Sequence, residues 1–403
     1  MILEIIGITF VTIGLLLIII EEIIGSKNNN FPKKKRNPWN KIAILIPARD
    51  ESKVIEDLLI SIKNQSMKAE IEDVYIIVEQ STDPTIEIAK KYNAKIFIRK
   101  KLNLKRKGYA LNELIEEIYD KDYDAYFIID ADNVLDKNFF KEMAKTYEQG
   151  YDIGISYRSL KNGNDSLIAA CSGFTFAFLN SNGNERKSKQ SRNVTLSGTG
   201  LYIIGNLIKK WQSFPFHSLT EDYETTLYSI ENNLTSYYNK NAIFYDEQPT
   251  IYKNTINQRI RWIRGYFENR KEYLPKLRKK LKQNANLGSV ITELIGMKPY
   301  ILMIIGVVLY IINQLIRFMN SQNYIYLFKI ILIFLLIYLI FTLLTAIIML
   351  KERKKINLNK KMQIKTIFFS FIFFITYIPC AIKAVLSKEV EWQKVEHTKR
   401  WKN

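Results

Sequence analysis

The segment Ala125–Asp132, AYFIIDAD, joins five consecutive apolar residues to two carboxylates that are separated by one alanine. A short apolar run rich in aromatic and β-branched side chains is typical of a β-strand that is buried on both faces. Asp130 and Asp132 follow this run directly, so they are predicted to lie at the carboxyl end of the strand. In parallel sheets, ligands bind at that edge.

The same alternation of strand and helix precedes this segment. We predict strands at 41–47, 74–78 and 95–98, and helices between about 48 and 67, at 84–92 and at 108–119. Apolar strands that alternate with helices indicate an α/β domain whose mostly parallel central sheet is covered on both faces. No G-x-G-x-x-G follows the first strand, which argues against an ordinary NAD-dependent enzyme.

Acidic residues follow two of the predicted strands. Glu79 and Asp83 come after the second strand, and Asp130 and Asp132 come after the fourth. Hard carboxylate oxygens suit Mg²⁺ or Mn²⁺, which keeps water and phosphate in its coordination shell. A D-x-D at a strand end is also common in solvated turns, so the pattern alone leaves both interpretations open.

Thr220-Glu221-Asp222 precedes a predicted helix. Thr220 suits a helix cap, and acidic residues are favourable in the first turn of a helix. Capping is the better interpretation of this segment in isolation, but Asp222 could also act as a general base that takes a proton from an attacking hydroxyl. Both roles are compatible with the same position.

The segment Gln258–Trp262, QRIRW, opens a stretch rich in Arg and Lys with interspersed apolar residues, which suits helices at a membrane surface. A metal on Asp132, together with Arg259 or Arg261, could neutralise a diphosphate leaving group. Trp262 could pack in the core or stack on a sugar ring.

Residues 180–193, NSNGNERKSKQSRN, are polar and contain glycine. Such a composition is found in mobile loops near a site and in surface excursions. We favour the surface excursion.

Four apolar blocks, at 2–24, 300–318, 325–349 and 366–386, approach or exceed the ~20 residues that span a bilayer. The first lacks a basic flank and a small-residue cleavage site, which favours a retained anchor over a signal peptide. We predict the following organisation: an N-terminal transmembrane helix at 1–25, a folded domain at 40–257, amphipathic interfacial helices at 258–298, about three transmembrane helices at 299–387, and a tail at 388–403.

The net charge of +19 is concentrated in basic runs at 33–36, 278–280 and 351–365, beside the apolar blocks. Basic residues near membrane ends mark the cytoplasmic side and attract anionic lipids. We therefore expect a multi-pass protein of the plasma membrane with its folded domain in the cytoplasm. Three C-terminal spans would put the tail outside, but its net charge of +2 does not decide this, and Pro379 permits a kinked or re-entrant last segment.

The cations lie beside membrane segments and form no aromatic-interleaved groove, so nucleic acid is not expected as a partner. Two cysteines, Cys171 and Cys380, provide no disulfide framework, which indicates a reducing compartment. His217 and His397 are too few and too far apart for a histidine-based zinc site.

Seven motifs in order resemble the membrane-bound family 2 glycosyltransferases, which include cellulose, hyaluronan, chitin-oligosaccharide and poly-N-acetylglucosamine synthases and, more distantly, ceramide glucosyltransferase. The resemblance covers residues 40 to 270. The motifs are Ile44–Glu51, Glu79–Asp83, Lys107–Asn112, Asp130–Asp132, Ser197–Gly200, Thr220–Asp222 and Gln258–Trp262.

This resemblance implies a GT-A fold, a UDP-sugar donor, Mg²⁺ or Mn²⁺, and inversion at the anomeric carbon. On the donor side it implies that Asp83 belongs to the nucleotide-binding loop, that Asp130 contacts uridine or ribose, and that Asp132 is the metal ligand. Lys107 and Gly108 match a donor-binding loop.

The resemblance also makes Asp222 the base, and it makes Gln258, Arg261 and Trp262 the Q-x-x-R-W residues that cover diphosphate and acceptor. We also include Arg259 among these diphosphate and acceptor residues, as an additional cation whose role the resemblance does not specify. Glu79 stands where the family usually has Asp, which changes its reach toward the nucleotide by one methylene.

The leading hypothesis is an enzyme that transfers a hexose or N-acetylhexosamine, with N-acetylglucosamine or glucose favoured, from a UDP-sugar to a growing β-linked polysaccharide. Four apolar spans leave little material for a channel, so a single-addition enzyme with a lipid acceptor remains an alternative. An inactive membrane partner is a third hypothesis, although the chain keeps Asp132 and Asp222. The sequence does not identify an accessory membrane subunit.

Overall fold

The computed structural model of this chain describes residues 2–26, 34–68, 70–79, 82–283, 286–387 and 401. Sequence features at Lys33, at Gln80 and Ser81, and in the tail apart from Trp401 lie outside these residues.

The chain divides into two compact units. The sheet unit comprises Phe31–Tyr273 and Ile348–Asn403, and the helical unit comprises Met1–Asn30 and Leu274–Ile347. The helices are α1 Ile2–Gly25, α2 Ile55–Lys63, α3 Thr85–Lys91, α4 Lys107–Ile118, α5 Phe139–Glu148, α6 Leu167–Phe178, α7 Glu185–Lys189, α8 Gly205–Trp211, α9 Glu221–Glu231, α10 Tyr252–Lys280, α11 Leu287–Ile295, α12 Lys298–Ser321, α13 Ile325–Glu352, α14 Lys360–Ile375 and α15 Tyr377–Leu386.

The sheet unit is built on one sheet of eight strands in the order β3-β2-β1-β4-β7-β6-β8-β5. The strands are β1 Ile42–Pro47, β2 Ile71–Val78, β3 Lys95–Ile98, β4 Ala125–Ile128, β5 Val134–Leu135, β6 Ile153–Leu160, β7 Leu201–Ile204 and β8 Ser236–Asp246. The pairs β1–β2, β1–β4, β2–β3 and β6–β8 are parallel, and β4–β7, β6–β7 and β5–β8 are antiparallel.

The predicted α/β class and mostly parallel sheet are confirmed. Residues 42–46 of β1 and 125–128 of β4 are at most 3% exposed, because helices cover both faces of the sheet centre. The predicted strands and helices up to β4 match the observed elements within a few residues. The antiparallel strand β7 lies next to β4 and ends the all-parallel half of the sheet.

The prediction of a surface excursion at 180–193 is wrong. This segment forms a π-helical turn, Leu179–Asn184, followed by α7, and the Arg192 side chain is fully buried. Asn184 exchanges two hydrogen bonds with the backbone of Thr195, and Glu185 pairs with Lys189, Lys240 and Lys351. Asn184 and Glu185 are buried because these neighbouring groups satisfy their polar atoms.

In the helical unit, α1 and α12 approach closely at two glycines. A β-carbon on Gly306 would lie 2.5 Å from the Gly7 carbonyl oxygen, so the two backbones touch where both residues lack side chains. Near the start of α1, Glu4 pairs with Arg317 at 3.0 Å and accepts a hydrogen bond from Asn313 at 3.2 Å. These contacts compensate the charge of Glu4 within an apolar helix.

Among the described residues, four segments are long and apolar enough to cross a membrane, judged by length and composition. They are Ile2–Gly25, Leu287–Ser321, Ile325–Glu352 and Lys360–Leu386. The chain is therefore associated with membranes. The last segment belongs to the sheet unit and is divided at Thr376 into α14 and α15.

Candidate active site

A cleft of about 290 Å³ opens at the carboxyl ends of β1, β2, β4 and β8. Ten of the eleven sequence-predicted site residues fall in or near it. Eight of them line it, namely Glu79, Lys107, Asp130, Asp132, Asp222, Gln258, Arg261 and Trp262. Gly108 and Asp83 adjoin it, whereas Arg259 points elsewhere.

Lys107 lies between the strand-end acids and the chain segment before β7. Its Nζ donates to Asp130 Oδ1 and, at 2.7 Å, to the carbonyl oxygen of Gly198. Burial opposes the charged form of Lys107, but Asp130 and Glu221 outweigh it and raise the pKa of the lysine. A fixed ammonium therefore lies in the cleft beside Asp130.

Gly108 explains how Lys107 reaches this position. A β-carbon at Gly108 would lie 1.9 Å from the carbonyl oxygen of Phe216, so only glycine permits this close approach of α4 to the segment before α9. Gly108 thus supports the position of Lys107 in the cleft through backbone packing.

Asp132 is held by a polar network. Asn133 donates to Asp132 Oδ1 at 3.0 Å and to Asp246 Oδ1 at 2.9 Å, and Thr199 donates to the Asn133 amide oxygen at 2.6 Å. Arg158 donates from Nε and Nη2 to Asp246 Oδ2 at 2.9 and 2.7 Å. This network orients the D-x-D carboxylates toward the cleft.

The donor chemistry of Asp130 and Asp132 fits a divalent cation that also binds phosphate and water. Among the described residues, no group of three or more His, Cys, Asp and Glu side chains is arranged to hold a metal ion alone. Mg²⁺ and Mn²⁺ are commonly bound by one or two carboxylates together with substrate phosphates. The residues present therefore fit a metal site that is completed by a diphosphate.

Glu79 lies between two arginines. Its Oε1 is 3.1 Å from Arg99 Nη1 and its Oε2 is 3.3 Å from Arg49 Nε. Arg99 is 5% exposed and also pairs with Glu113 at 2.8 Å. The longer glutamate side chain thus forms an ion-pair chain at the end of β2 and β3.

Asp83 lies beside this chain, outside the main cleft lining. It accepts hydrogen bonds from Ser52 Oγ at 2.7 Å and from the Thr85 backbone at 3.0 Å. Burial alone would raise its pKa, but the bonds from Thr85 and Ser52 outweigh that effect and lower it. Asp83 therefore ties the loop after β1 to the start of α3.

Asp222 is half-buried at the start of α9, where the backbone N–H of Tyr223 donates to its Oδ1 at 2.7 Å. Burial raises the pKa of Asp222 despite that hydrogen bond and the charges of Lys107 and Arg261. Burial also raises the pKa of Glu221, and the Asp222 charge adds to the effect. Two adjacent, desolvated carboxyls with raised pKa values form an arrangement suited to proton transfer.

The cleft face of α10 carries Gln258, Arg261 and Trp262, which recur one helical turn apart. Arg261 Nη1 lies 3.4 Å from the carbonyl oxygen of Leu219. The Trp262 ring packs edge-on against Phe176, with centroids 5.8 Å apart. This places a guanidinium and an aromatic ring on the same wall.

α10 is fastened to the segment that carries Asp222. Asn269 donates to the carbonyl oxygen and to Oγ1 of Thr220, both at 3.0 Å. A β-carbon at Gly265 would lie 2.4 Å from Thr220 Oγ1, so glycine permits this contact. The cleft face and the buried acids are therefore linked by direct contacts.

Arg259 points away from the cleft and is 1% exposed. Its guanidinium donates to Thr255 and, at 2.6 Å, to Thr376 Oγ1, and lies over the rings of Phe373 and Tyr377. The structure therefore does not place Arg259 with the other members of the diphosphate and acceptor group. The physical reason is helical phase, since Arg259 and Arg261 differ by two residues, or about 200°.

The cleft residues that the sequence analysis did not identify include Arg99, Arg158 and Asp246. Arg99 and Asp246 follow or end strands, so strand-end position was an available signal. Arg158 lies inside β6, in the half of the chain where strand and helix no longer alternate. No local pattern distinguishes it.

The fold defines the class of protein. The solved structure of the mannosyltransferase PcManGT from Pyrobaculum calidifontis, in complex with GDP-Man and Mn²⁺, superposes with a TM-score of 0.61 at 12% identity, covering 96% of this chain and 100% of that one. The sheet unit is thus a GT-A-like domain with long apolar helices before and after it in the chain.

The family follows from sequence. The profile described as "Glycosyltransferase like family 2" matches residues 38–265, more than half of the chain. The chain belongs to this family.

Two further similarities cover less of this chain. A probable glycosyltransferase, YdaM, from Bacillus subtilis (strain 168) is 24% identical over 251 residues, which are 59% of this chain, and the match spans only 58% of that relative's length. The S. aureus TarS 1-349 structure in complex with UDP-GlcNAc aligns at 17% identity over 63% of this chain and 71% of that one, with a TM-score of 0.44.

Proposed function

We propose that this protein is a membrane-bound, inverting glycosyltransferase that transfers a hexose or N-acetylhexosamine, with N-acetylglucosamine or glucose favoured, from a UDP-sugar to a growing β-linked polysaccharide on the cytoplasmic side. One observation carries the proposal. The half-buried acid Asp222, the Lys107–Asp130 ion pair and Arg261 all line a single cleft at the carboxyl edge of the sheet.

In the proposed reaction Asp222 accepts the proton of an acceptor hydroxyl. The freed oxygen forms a bond to the anomeric carbon as the bond from that carbon to the diphosphate oxygen breaks. UDP leaves with the electron pair, and the configuration at the anomeric carbon is inverted. The raised pKa of Asp222 supports this role, because a base works best when its pKa approaches the working pH.

The diphosphate end of the reaction is assigned to cations. Arg261 and Lys107 are the cationic side chains proposed to face the developing negative charge. Asp132, with Asp130 beside it, would hold Mg²⁺ or Mn²⁺, which supplies further charge neutralisation when bound. Glu79 and Asp83 are proposed to shape the nucleotide-binding loop, Glu79 through Arg49 and Arg99.

A second candidate is the addition of one sugar to a lipid acceptor. The observation that favours it is the small number of membrane segments, since four segments, one of them broken, provide little material for a polymer channel. Trp262 would then contact the head of a lipid acceptor instead of a sugar chain.

Both candidates are tested by one experiment. The purified chain in lipid vesicles is supplied with radiolabelled UDP-glucose, UDP-N-acetylglucosamine, UDP-galactose or, because of the GDP-Man-bound structural relative, GDP-mannose, each with Mg²⁺ or Mn²⁺. A ladder of product lengths supports the polymerase, and one organic-soluble product supports the glycolipid enzyme. Hydrolysis of the donors without either product would contradict the proposal.

Asp222→Asn provides the matched control. The substitution keeps the shape of the side chain and removes its basicity, so we expect turnover to fall by about 10²-fold to 10⁴-fold while UDP binding is retained. Unchanged turnover would remove Asp222 from the mechanism.

A further inference from the structure

The last apolar segment, Lys360–Leu386, differs from a simple membrane span because its helix is interrupted. α14 has 16 residues and α15 has 10, and the two meet at Thr376. At ~1.5 Å per residue they are ~24 Å and ~15 Å long, so neither spans the ~30 Å hydrocarbon core by itself.

One side of this segment lies along the sheet unit over nearly its whole length. Thr366 and Ser370 are fully buried, and Phe374 packs against the cluster that includes Phe174 of α6. Beyond the break, Cys380 and Ala384 are at most 3% exposed and pack against Ile260 of α10. A segment that left the sheet unit to cross a bilayer would not have buried positions before and after the break.

The break itself is attached to α10. The Arg259 guanidinium donates to Thr376 Oγ1 at 2.6 Å and to the Phe373 carbonyl oxygen at 3.5 Å. A cation at a helix C-terminus is favourable, and it satisfies carbonyl groups that the interruption leaves without helical partners.

The opposite side of the segment is apolar and exposed. Phe368, Ile372, Ile382 and Val385 are each between 51% and 59% exposed. Exposed lysines, Lys360, Lys361 and Lys365, accompany its start, and Lys383 lies near its end. An apolar face flanked by lysines is typical of a helix that lies at the interface of a leaflet with anionic lipids.

The end of the chain also contacts the sheet unit. The backbone N–H of Trp401 donates to Asp57 of α2, and its ring packs on Tyr245 of β8 with centroids 4.8 Å apart. Trp401, which follows the segment in the chain, thus lies against the sheet unit.

We propose that Lys360–Leu386 is a membrane-docking surface of the sheet unit, and not a fourth span. Its exposed face lies in the interface of one leaflet that contains anionic lipids, and the C-terminal tail stays on the same side of the membrane as the cleft. The proposal holds whichever sugar the enzyme transfers.

The depth of the exposed face tests this proposal. A nitroxide spin label is attached to Ile372→Cys or Ile382→Cys in the full-length chain. The labelled protein is reconstituted in vesicles of phosphatidylcholine and phosphatidylglycerol. Power saturation with oxygen and a nickel complex then measures how deep the label lies in the bilayer. The two native cysteines are at most 3% exposed, so labelling at the new sites is favoured. Ile340→Cys, at an exposed position in the middle of α13, is the matched control for a crossing helix.

We expect both Ile372 and Ile382 positions near the headgroups, several ångströms shallower than position 340. A label at 372 as deep as the control would overturn the proposal. A second measurement needs no substitution in the segment. An epitope tag at the C-terminus should be digested by added protease in inside-out vesicles and protected in intact spheroplasts, as should the sheet unit. Digestion of the tag in spheroplasts while the sheet unit is protected would also overturn the proposal.

Discussion

The two sides of α10 show how neighbouring residues in one motif acquire different tasks. Gln258, Arg261 and Trp262 face the cleft, whereas Arg259 and Ile260 pack against the last apolar segment. Arg259 and Arg261 are chemically identical and two residues apart, yet one lines the cleft and the other is buried among aromatic rings. The position of a cation on the helix, more than its membership of the motif, decides what it can bind.

The largest difference between the two sides is expected in catalysis. Arg261→Ala removes a cation from the cleft, and we expect kcat to fall about 10²-fold to 10³-fold because charge on the leaving diphosphate is less well stabilised. The thermal midpoint of the protein in lipid should change little, since Arg261 is partly exposed and makes one long backbone contact. A large loss of stability with normal kcat would reverse our assignment of the two sides.

Arg259→Ala should show the opposite pattern. It leaves Thr376 and the Phe373 carbonyl without their buried donor, at an expected cost of about 3 kcal/mol in the free energy of unfolding. Thermal inactivation of donor binding provides the measurement, and Arg259→Lys should recover part of the loss. Equal effects of Arg259→Ala and Arg261→Ala on kcat, at unchanged stability, would mean that Arg259 also acts on the diphosphate.

A smaller effect is expected on the pH dependence of turnover. As the proposed base, Asp222 must be ionised, and its raised pKa places the acid limb of kcat above the range of an ordinary aspartate, so activity is lost as the pH falls through that raised value. Burial and the Asp222 charge raise the pKa of Glu221 to about 7, so Glu221 is protonated where Asp222 titrates, and Glu221→Gln should leave the acid limb in place. A limb that moves to lower pH in this variant would show that Glu221 carries its charge where Asp222 titrates.

The smallest effect concerns the packed side alone. Ile260 is 4% exposed against Cys380 and Ala384, and Ile260→Val should cost about 1 kcal/mol in stability with kcat unchanged. Ile263→Val, at a position that is only partly buried, is the control and should cost less. Equal costs would indicate that the contact with α15 is looser than the burial of Ile260 implies.

Sequence reasoning was most successful where structure is local. The strands and helices up to β4 follow from periodicity, and most of the predicted site residues line the cleft because strand ends converge at one edge of a sheet. It failed where long-range contacts decide the outcome. The polar segment 180–193 is buried because partners far along the chain, such as Lys351, satisfy its side chains, and no local pattern reveals them.

The helical period of 3.6 residues predicts that Arg259 lies on a different face of α10 from Gln258 and Trp262. The period does not tell which of the two faces meets the cleft, because that depends on the packing of α15 against the opposite face. The network around Asp246 and Arg158 was beyond reach for the same reason, since it joins β8 to β6 across 88 residues of sequence.

The two hydrogen bonds from Asn269 to Thr220 connect the movement of α10 to that of the segment before α9. Because Thr220 directly precedes Glu221 and Asp222, a tilt of α10 that keeps these two bonds moves the two acids with it. In the proposed reaction, entry of the nucleotide and alignment of Asp222 would then be coupled. A half-closed cleft, with the diphosphate held and the proton acceptor out of place, would require these bonds to break, so water would have little opportunity to intercept the sugar.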